Sequence, residues 1–418
     1  YTYLGNMDEQ LYCEAMTDNA YTKQPNDATQ NIGNGSYSTA DPYVKKVWDG
    51  RYTGIRMCNE LLENIDRVPD LDPELKKRYI GEAKVLRAYN YYELYTKFGD
   101  VPYTTKVLSI KESMSIARTA KATVIANVLA DLDEVINGNY LPTSYDADNK
   151  GRITRWAAMA IKAKIYLFEG NWTQVKNITS TIMTEGGFKL FGSYAGLFEI
   201  ANEYNSEVIL DAQYRPTSRE HQMMYVFLPP TLGGYSQLSP LQELVDSYIM
   251  LDGKTIKETG TSFDESHPYA NRDPRLKATV MYTGNSYTLA DGTEVVINCE
   301  KGEGKDGYGV GSDCSATGYY IKKYWDNAYR ATLYSGLNPI LIRYADILLM
   351  NAEALAELGE LDKTAWDATI KPIRDRAGFT LASAVEFPEG ASKDKLIEIV
   401  RNERRSELAL EGHRHKDI

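Results

Sequence analysis

NPILIRYADILLMNAEALAELG, residues 338–359, decides the fold. Its apolar positions run from Ile340, Leu341 and Ile342 through Ala345, Ile347, Leu348, Leu349 and Ala352 to Leu355 and Leu358. Plotted on a helix they wrap most of the way round, and a helix apolar on nearly every side is buried on nearly every side. Pro339 suits a first helical turn, where its missing N–H costs nothing. Gly359 is the residue expected just past the end. The reading is therefore one buried helix over 338–359. Arg343, Asp346 and Glu353 interrupt the apolar surface, and buried charges demand partners. The C-terminal segment supplies them: Arg374, Arg376, Glu403, Arg404, Glu407, Glu411 and Arg414 alternate in sign along predicted helices. They read as an ion-pair network that locks core helices rather than as a ligand-binding surface.

Outward from this element the chain is helical on both sides of an irregular stretch. Toward the N-terminus, residues 1–17 read as a helix with Leu4, Met7, Leu11 and Ala15 on one face. A polar loop fills 18–41. Paired helices follow at 43–68, 73–98, 120–137 and 154–170, with a shorter one at 172–184. Asp72 caps the second of these, with Pro73 at its first position. Toward the C-terminus, helices are expected at 363–378, kinked by Pro372, and at 392–412. Between the two sets, residues 186–336 are rich in Gly, Pro, Ser and Asn. They carry short strand-like runs at 207–212, 293–299 and 318–324, and one helix at 240–250. The expected fold is mainly α: a tetratricopeptide-like helix-pair scaffold (1–185 and 337–418) with a long loop-rich insert (186–336), all in one domain over 1–418.

Composition excludes several functions. The chain has 418 residues and a formal net charge of −11, which argues against nucleic acid, whose binders present a basic face. No apolar run reaches transmembrane length. Cys13 and Cys58 fall in apolar helical patterns and read as buried thiols. Cys299 and Cys314 flank a Gly-rich loop and are candidates to pair in an oxidising compartment. None of the four has metal-ligand spacing. GEGKDG at 302–307 matches a dinucleotide fingerprint, but no helix pattern follows it to face a pyrophosphate. DADNKG at 146–151 begins like a calcium loop, yet Lys150 and Ala157 occupy ligand positions, so a turn is the better reading. No cofactor is expected, and a structural calcium elsewhere is left open. His413 and His415 make a poor zinc site.

Several stretches together resemble one family. KVLRAYNYYELYTKFGDVPY (84–103), GRITRWAAMAIKAKIYLFEGNW (151–172), MLDGKTIKE with NRDPRLKATV (250–258 and 271–280), TGYYIKKYW (317–325), IRYADILLMNAEAL, IRDRAGF and ERRSELALEGHRHKDI resemble SusD/RagB-type segments, in the family's order. The resemblance implies a non-catalytic glycan-binding lipoprotein on the outward face of a Bacteroidetes outer membrane. It implies delivery of the glycan to a SusC-like, TonB-dependent transporter. Contact with the membrane would be only through an N-terminal lipid anchor that is missing from this chain. Two other readings stay open on the residues alone: a helical-repeat scaffold for a protein partner, and a glycoside hydrolase using two of the 58 carboxylates.

Tyrosine is in excess, 32 against 9 Phe and 5 Trp. A flat ring with a polar tip suits the half-wet surfaces on which sugars bind. Sugar C–H faces need aromatic rings, and sugar hydroxyls need Asp, Asn or Arg. In the 18–41 loop and just beyond it, Asp18, Asn19, Tyr37, Asp41 and Trp48 meet that description, with helix packing as the competing role for Trp48. In the irregular lobe, Tyr235, Tyr287, Trp325 and Arg330 lie in turn-like surroundings.

Overall fold

The computed structural model describes Gly5, residues 7–23 and residues 28–418. Residues 1–4, including Leu4 of the expected first helix face, and residues 24–27 of the expected polar loop lie outside the described residues. The chain divides into two compact units. The first comprises Gly5, Ser38–Gly187 and Ile209–Ala212; the second comprises Met7–Tyr37, Phe188–Val208 and Gln213–Ile418. The C-terminal helices thus fall in the same unit as the irregular lobe.

The first unit is a run of helices: α1 (Pro42–Asn64), α2 (Pro73–Phe98), α3 (Lys121–Asn137), α4 (Arg155–Phe168) and α5 (Trp172–Glu185). Each packs on the next in the series. Local chemistry sets the ends. Asp72 accepts from the Leu75 N–H at 2.8 Å, Thr154 accepts from Ala157, and Gly99 closes α2 at φ 66°. Gly81, in the middle of α2, carries no cap. A Cβ there would sit 2.8 Å from the Tyr140 Cβ, so glycine permits the close approach of the α3–α4 connection. Arg87 ties three helices together, donating to Asn59 of α1 and to Asp131 of α3 at 2.9 and 2.7 Å. DADNKG forms a 3₁₀ turn at Ala147–Asn149 ahead of α4, as its sequence suggests.

The second unit joins three long helices, α6 (Tyr344–Leu358), α7 (Lys363–Ala377) and α8 (Lys393–Glu407), to an apolar core built largely from the loop-rich insert. The three helices pack on one another. α7 is continuous through Pro372, and Gly378 ends it in the left-handed region. Short antiparallel strand pairs punctuate the insert: Ala20–Thr22 with Leu238–Pro240, Val280–Met281 with Tyr320–Ile321, and Ser286–Thr288 with Glu294–Val296.

Three expectations need correction, and one open question is answered. The 338–359 element is not one helix. Ile340–Arg343 is a strand, and the helix begins at Tyr344. Alternating β-branched Ile340 and Ile342 favour the pleated conformation, and Arg343, at φ −130° and ψ 165°, is extended. Gly359 does end the helix, at φ 73°. The 18–41 loop is not structureless: it holds a strand at Ala20–Thr22 and a helix at Ala28–Gly33. α8 stops at Glu407, because residues 408–411 turn back into the core. The Ala409 and Leu410 carbonyls accept there from Lys323 Nζ and Tyr324 Oη, both at 2.8 Å. Cys299 and Cys314 are free thiols, both buried.

Candidate functional site

The charged residues of the C-terminal signature are buried and consumed. Arg343, with no exposed surface, donates to Glu207, Glu407 and Glu411 at 2.6–2.8 Å. Arg275 binds Asp273, Glu403 and Glu407. Arg374 binds Glu403, Arg376 binds Glu207 and Glu407, and Lys323 binds Glu411. Five cations thus face five carboxylates, so the cluster carries no net charge. Burial alone would raise Glu407, but Arg376, Arg343 and Arg275 outweigh it and hold its carboxyl below the ordinary range. Arg404 meets Asp346 at 2.5 Å, and Arg401 bridges Glu353 and Glu357. This is the ion-pair network read from the alternating charges, and it leaves no open surface for a ligand.

An open site lies on the irregular lobe. The short helix Pro274–Thr279 leads into Val280–Met281, which pairs with Tyr320–Ile321. After that strand the backbone turns. The Lys322 and Lys323 N–H groups both donate to the Thr279 carbonyl, Tyr324 takes a positive φ of 69°, and the Trp325 N–H returns to Lys322. In this turn the two lysines diverge. Lys323 enters the charge cluster, whereas half-buried Lys322 faces a cleft. The Ser286–Glu294 hairpin fixes the far end, where the Thr288 carbonyl accepts from Trp325 Nε1 at 3.2 Å and Asn327 Nδ2 at 3.0 Å. Tyr194, Phe198 and Glu199 close the opposite wall. The cleft has a volume of about 370 Å³, within the range of small-ligand sites. It offers the half-buried Trp325 indole, the Asn327 amide, the Thr288 hydroxyl, two ammonium groups from Lys277 and Lys322, and the Glu199 carboxyl.

Of the residues expected from sequence, Trp325 lines this cleft. Tyr287 touches Trp325, ring centroids 5.1 Å apart, but is fully buried and donates its hydroxyl to the Ile321 carbonyl. It supports the indole and presents nothing to a ligand, because it is the inward residue of a strand whose neighbours point out. Tyr235 lies elsewhere, in a tyrosine patch. Its ring meets exposed Tyr225 at 4.6 Å, and Gln222, on the same short helix turn, donates to exposed Tyr334. Arg330 is half-buried and ends the 3₁₀ turn Asn327–Tyr329.

The N-terminal choices scatter. Asp18 pairs with Arg414 and Arg405, and buried Asn19 bridges Glu14 and Arg405, so both serve the fold. Tyr37 is 54% exposed. Asp41 is buried and caps α1 through the Tyr43 N–H. Trp48 packs against Tyr52 and Phe98 at 4.9 and 5.2 Å, with the Arg118 guanidinium 5.5 Å over its ring. Sequence reading missed Lys277, Lys322, Thr288, Asn327 and Glu199. No local pattern signalled them, since they come together only through the pairing of Val280–Met281 with Tyr320–Ile321. Among the described residues no cluster of three or more metal-ligating side chains occurs, and no helix is long and apolar enough to cross a membrane.

Comparison with known proteins places this architecture. The SusD family model matches residues 197–418, and a second model, described as starch-binding associating with outer membrane, matches residues 3–167. SusD-like protein P25 of Formosa agariphila is 28% identical over 99% of this chain and 78% of its own length. A SusD-like carbohydrate binding protein from Bacteroides fragilis superposes with a TM-score of 0.86, at 28% identity over 98% of this chain and 79% of that one. A laminarin binding SusD-like protein superposes with a TM-score of 0.75, at 25% identity over 98% of this chain and 82% of that one. With the helix-pair unit, the loop-rich lobe and the charge-locked C-terminal helices all matched, the chain belongs to the SusD family.

Proposed function

We propose that this protein captures an oligo- or polysaccharide at the outward face of an outer membrane, without cleaving it, and delivers it to a SusC-like, TonB-dependent transporter. The observation that carries the reading is the Trp325 cleft, where an aromatic face stands beside an amide, a hydroxyl and ammonium groups. An indole covers the apolar face of a sugar ring while those groups bind its hydroxyls. The carbohydrate-binding relatives supply the ligand class, and the outer-membrane description of the N-terminal family model supports the location. Attachment would be through an N-terminal lipid anchor. Capture without cleavage follows the binding-protein character of the relatives, and among the described residues the cleft lining includes one carboxyl, Glu199, where hydrolysis needs two flanking the scissile bond.

Affinity electrophoresis in gels cast with a panel of plant, algal and microbial polysaccharides tests capture, with a reducing-end assay on the same mixtures. Retarded migration in one or more gels without release of reducing ends is the expected result. Release of reducing ends would replace capture with hydrolysis. Co-purification of a TonB-dependent transporter with the tagged protein from its native membrane tests delivery.

A further inference from the structure

Two lysines give the cleft a chemical bias. Lys277 and Lys322 both line it, and among the described residues neither has a carboxylate within ion-pairing distance. The Lys322 ammonium donates to the Asn285 amide oxygen at 3.2 Å. Lys323 is spent on Glu411, Tyr194 and the Ala409 carbonyl. Glu294 accepts from the Ser286 and Thr288 hydroxyls on the neighbouring hairpin, and its charge acts on Lys322 and Lys277 without reaching ion-pair distance of either. The Glu199 carboxyl, on the opposite wall, is pushed above its ordinary value by burial and by Asp326. Two ammonium groups facing one cleft repel each other, and Glu294 offsets this only from beyond ion-pair distance, so an anion bound between them would be favoured. On a chain of net charge −11 the placement is against the general trend.

We infer that the Trp325 cleft takes an anionic saccharide, with Lys322 and Lys277 clasping a carboxylate or sulfate ester while the indole covers the sugar ring. Burial first, and then Lys277 beside it, push the Lys322 ammonium down to about 8 against the opposing pull of Glu294. A bound anion would reverse that shift. Asn327 and Thr288 form the polar far wall, where each already makes one internal hydrogen bond and keeps an oxygen able to accept from a sugar hydroxyl. The inference rests on the glycan-capture reading and narrows its ligand class.

The test is isothermal titration of the full chain with three probes: oligogalacturonides for the carboxylate, sulfated dextran oligosaccharides for the sulfate ester, and laminarihexaose as a neutral control. Binding of either anionic probe, weakened several-fold between 50 and 500 mM NaCl, supports the inference, and which of the two binds identifies the anion. Lys322→Gln should weaken that binding roughly 10-fold or more, as loss of a charged hydrogen bond does. Lys322→Arg should retain most of it, which separates charge from misfolding. Equal binding of neutral and anionic probes, unchanged in Lys322→Gln, would overturn the anionic inference and leave glycan capture standing. Binding of no saccharide by the folded chain in the wider panel would overturn both.

Discussion

Replacing Arg343 by Met removes the centre of the buried charge cluster while keeping an apolar side chain of similar length. Its guanidinium makes hydrogen bonds to Glu207, Glu407 and Glu411 and to the Glu407 carbonyl, all between 2.6 and 2.8 Å. None of the three carboxylates becomes isolated. Glu207 keeps Arg376, Glu407 keeps Arg275 and Arg376, and Glu411 keeps Lys323. The cluster nevertheless acquires one uncompensated buried negative charge. Breaking a buried pair in this way costs about 3–5 kcal/mol, a factor of about 10²–10³ or more in the opening equilibrium. Native-state hydrogen exchange on the amides of α6 and α8 reads that quantity directly, without assuming a two-state transition for a two-unit chain. The control is Arg401→Met, which breaks a bridge from a half-exposed arginine to Glu353 and Glu357. Glu353 is itself buried but keeps Arg404 near it, so loss of this half-exposed bridge should cost less than loss of Arg343. If Arg343→Met accelerates exchange by less than tenfold, or no more than Arg401→Met does, the cluster is not what locks these helices.

Acidification should attack the same cluster. Burial would raise Glu407, but Arg376, Arg343 and Arg275 hold it below the ordinary value of 4.5, so below that pH the unfolded chain binds more protons and stability falls. A denaturation midpoint followed from pH 6 down to pH 3 should drop below about pH 4.5, and Glu407→Gln should flatten that dependence while lowering stability at neutral pH. Tyr287→Phe should cost about 1 kcal/mol of stability, the worth of its buried hydrogen bond to the Ile321 carbonyl, while leaving saccharide affinity within twofold. A large loss of affinity with stability intact would return Tyr287 to the binding surface. Peptide mapping without reduction should recover Cys299 and Cys314 as free thiols, and burial, which pushes the Cys299 thiol up to about 12, should make its alkylation slow in the folded state. A linked 299–314 peptide would contradict the structure.

What the sequence revealed and what it hid have the same physical origin. Long helices announce themselves through periodicity and end signals, so Asp72, Pro73, Gly99, Thr154 and Gly359 marked real boundaries. Alternating charge beside an apolar helix forecast the ion-pair network, because burial leaves charges no alternative to pairing. The strand at Ile340–Arg343 was hidden because four apolar and charged residues next to a strong helix share its composition. Site residues were less legible still. Asp18 and Asn19 look like ligand-binding side chains in a loop, yet their partners, Arg405 and Arg414, lie almost 400 residues away and no local pattern encodes that pairing. Trp325 was readable as an aromatic in a turn. Lys277 and Lys322 were not, since only the pairing of Val280–Met281 with Tyr320–Ile321 brings them to one cleft.

The central claim is that a loop-built cleft on a rigid frame holds a saccharide against Trp325. The direct measurement is isothermal titration of the protein and of Trp325→Ala with whichever polysaccharide retards it in affinity gels. Loss of the stacking face should weaken binding roughly 10-fold or more, with hydrogen exchange of α6 and α8 unchanged. Equal affinity in the two proteins would place the saccharide elsewhere and contradict the account.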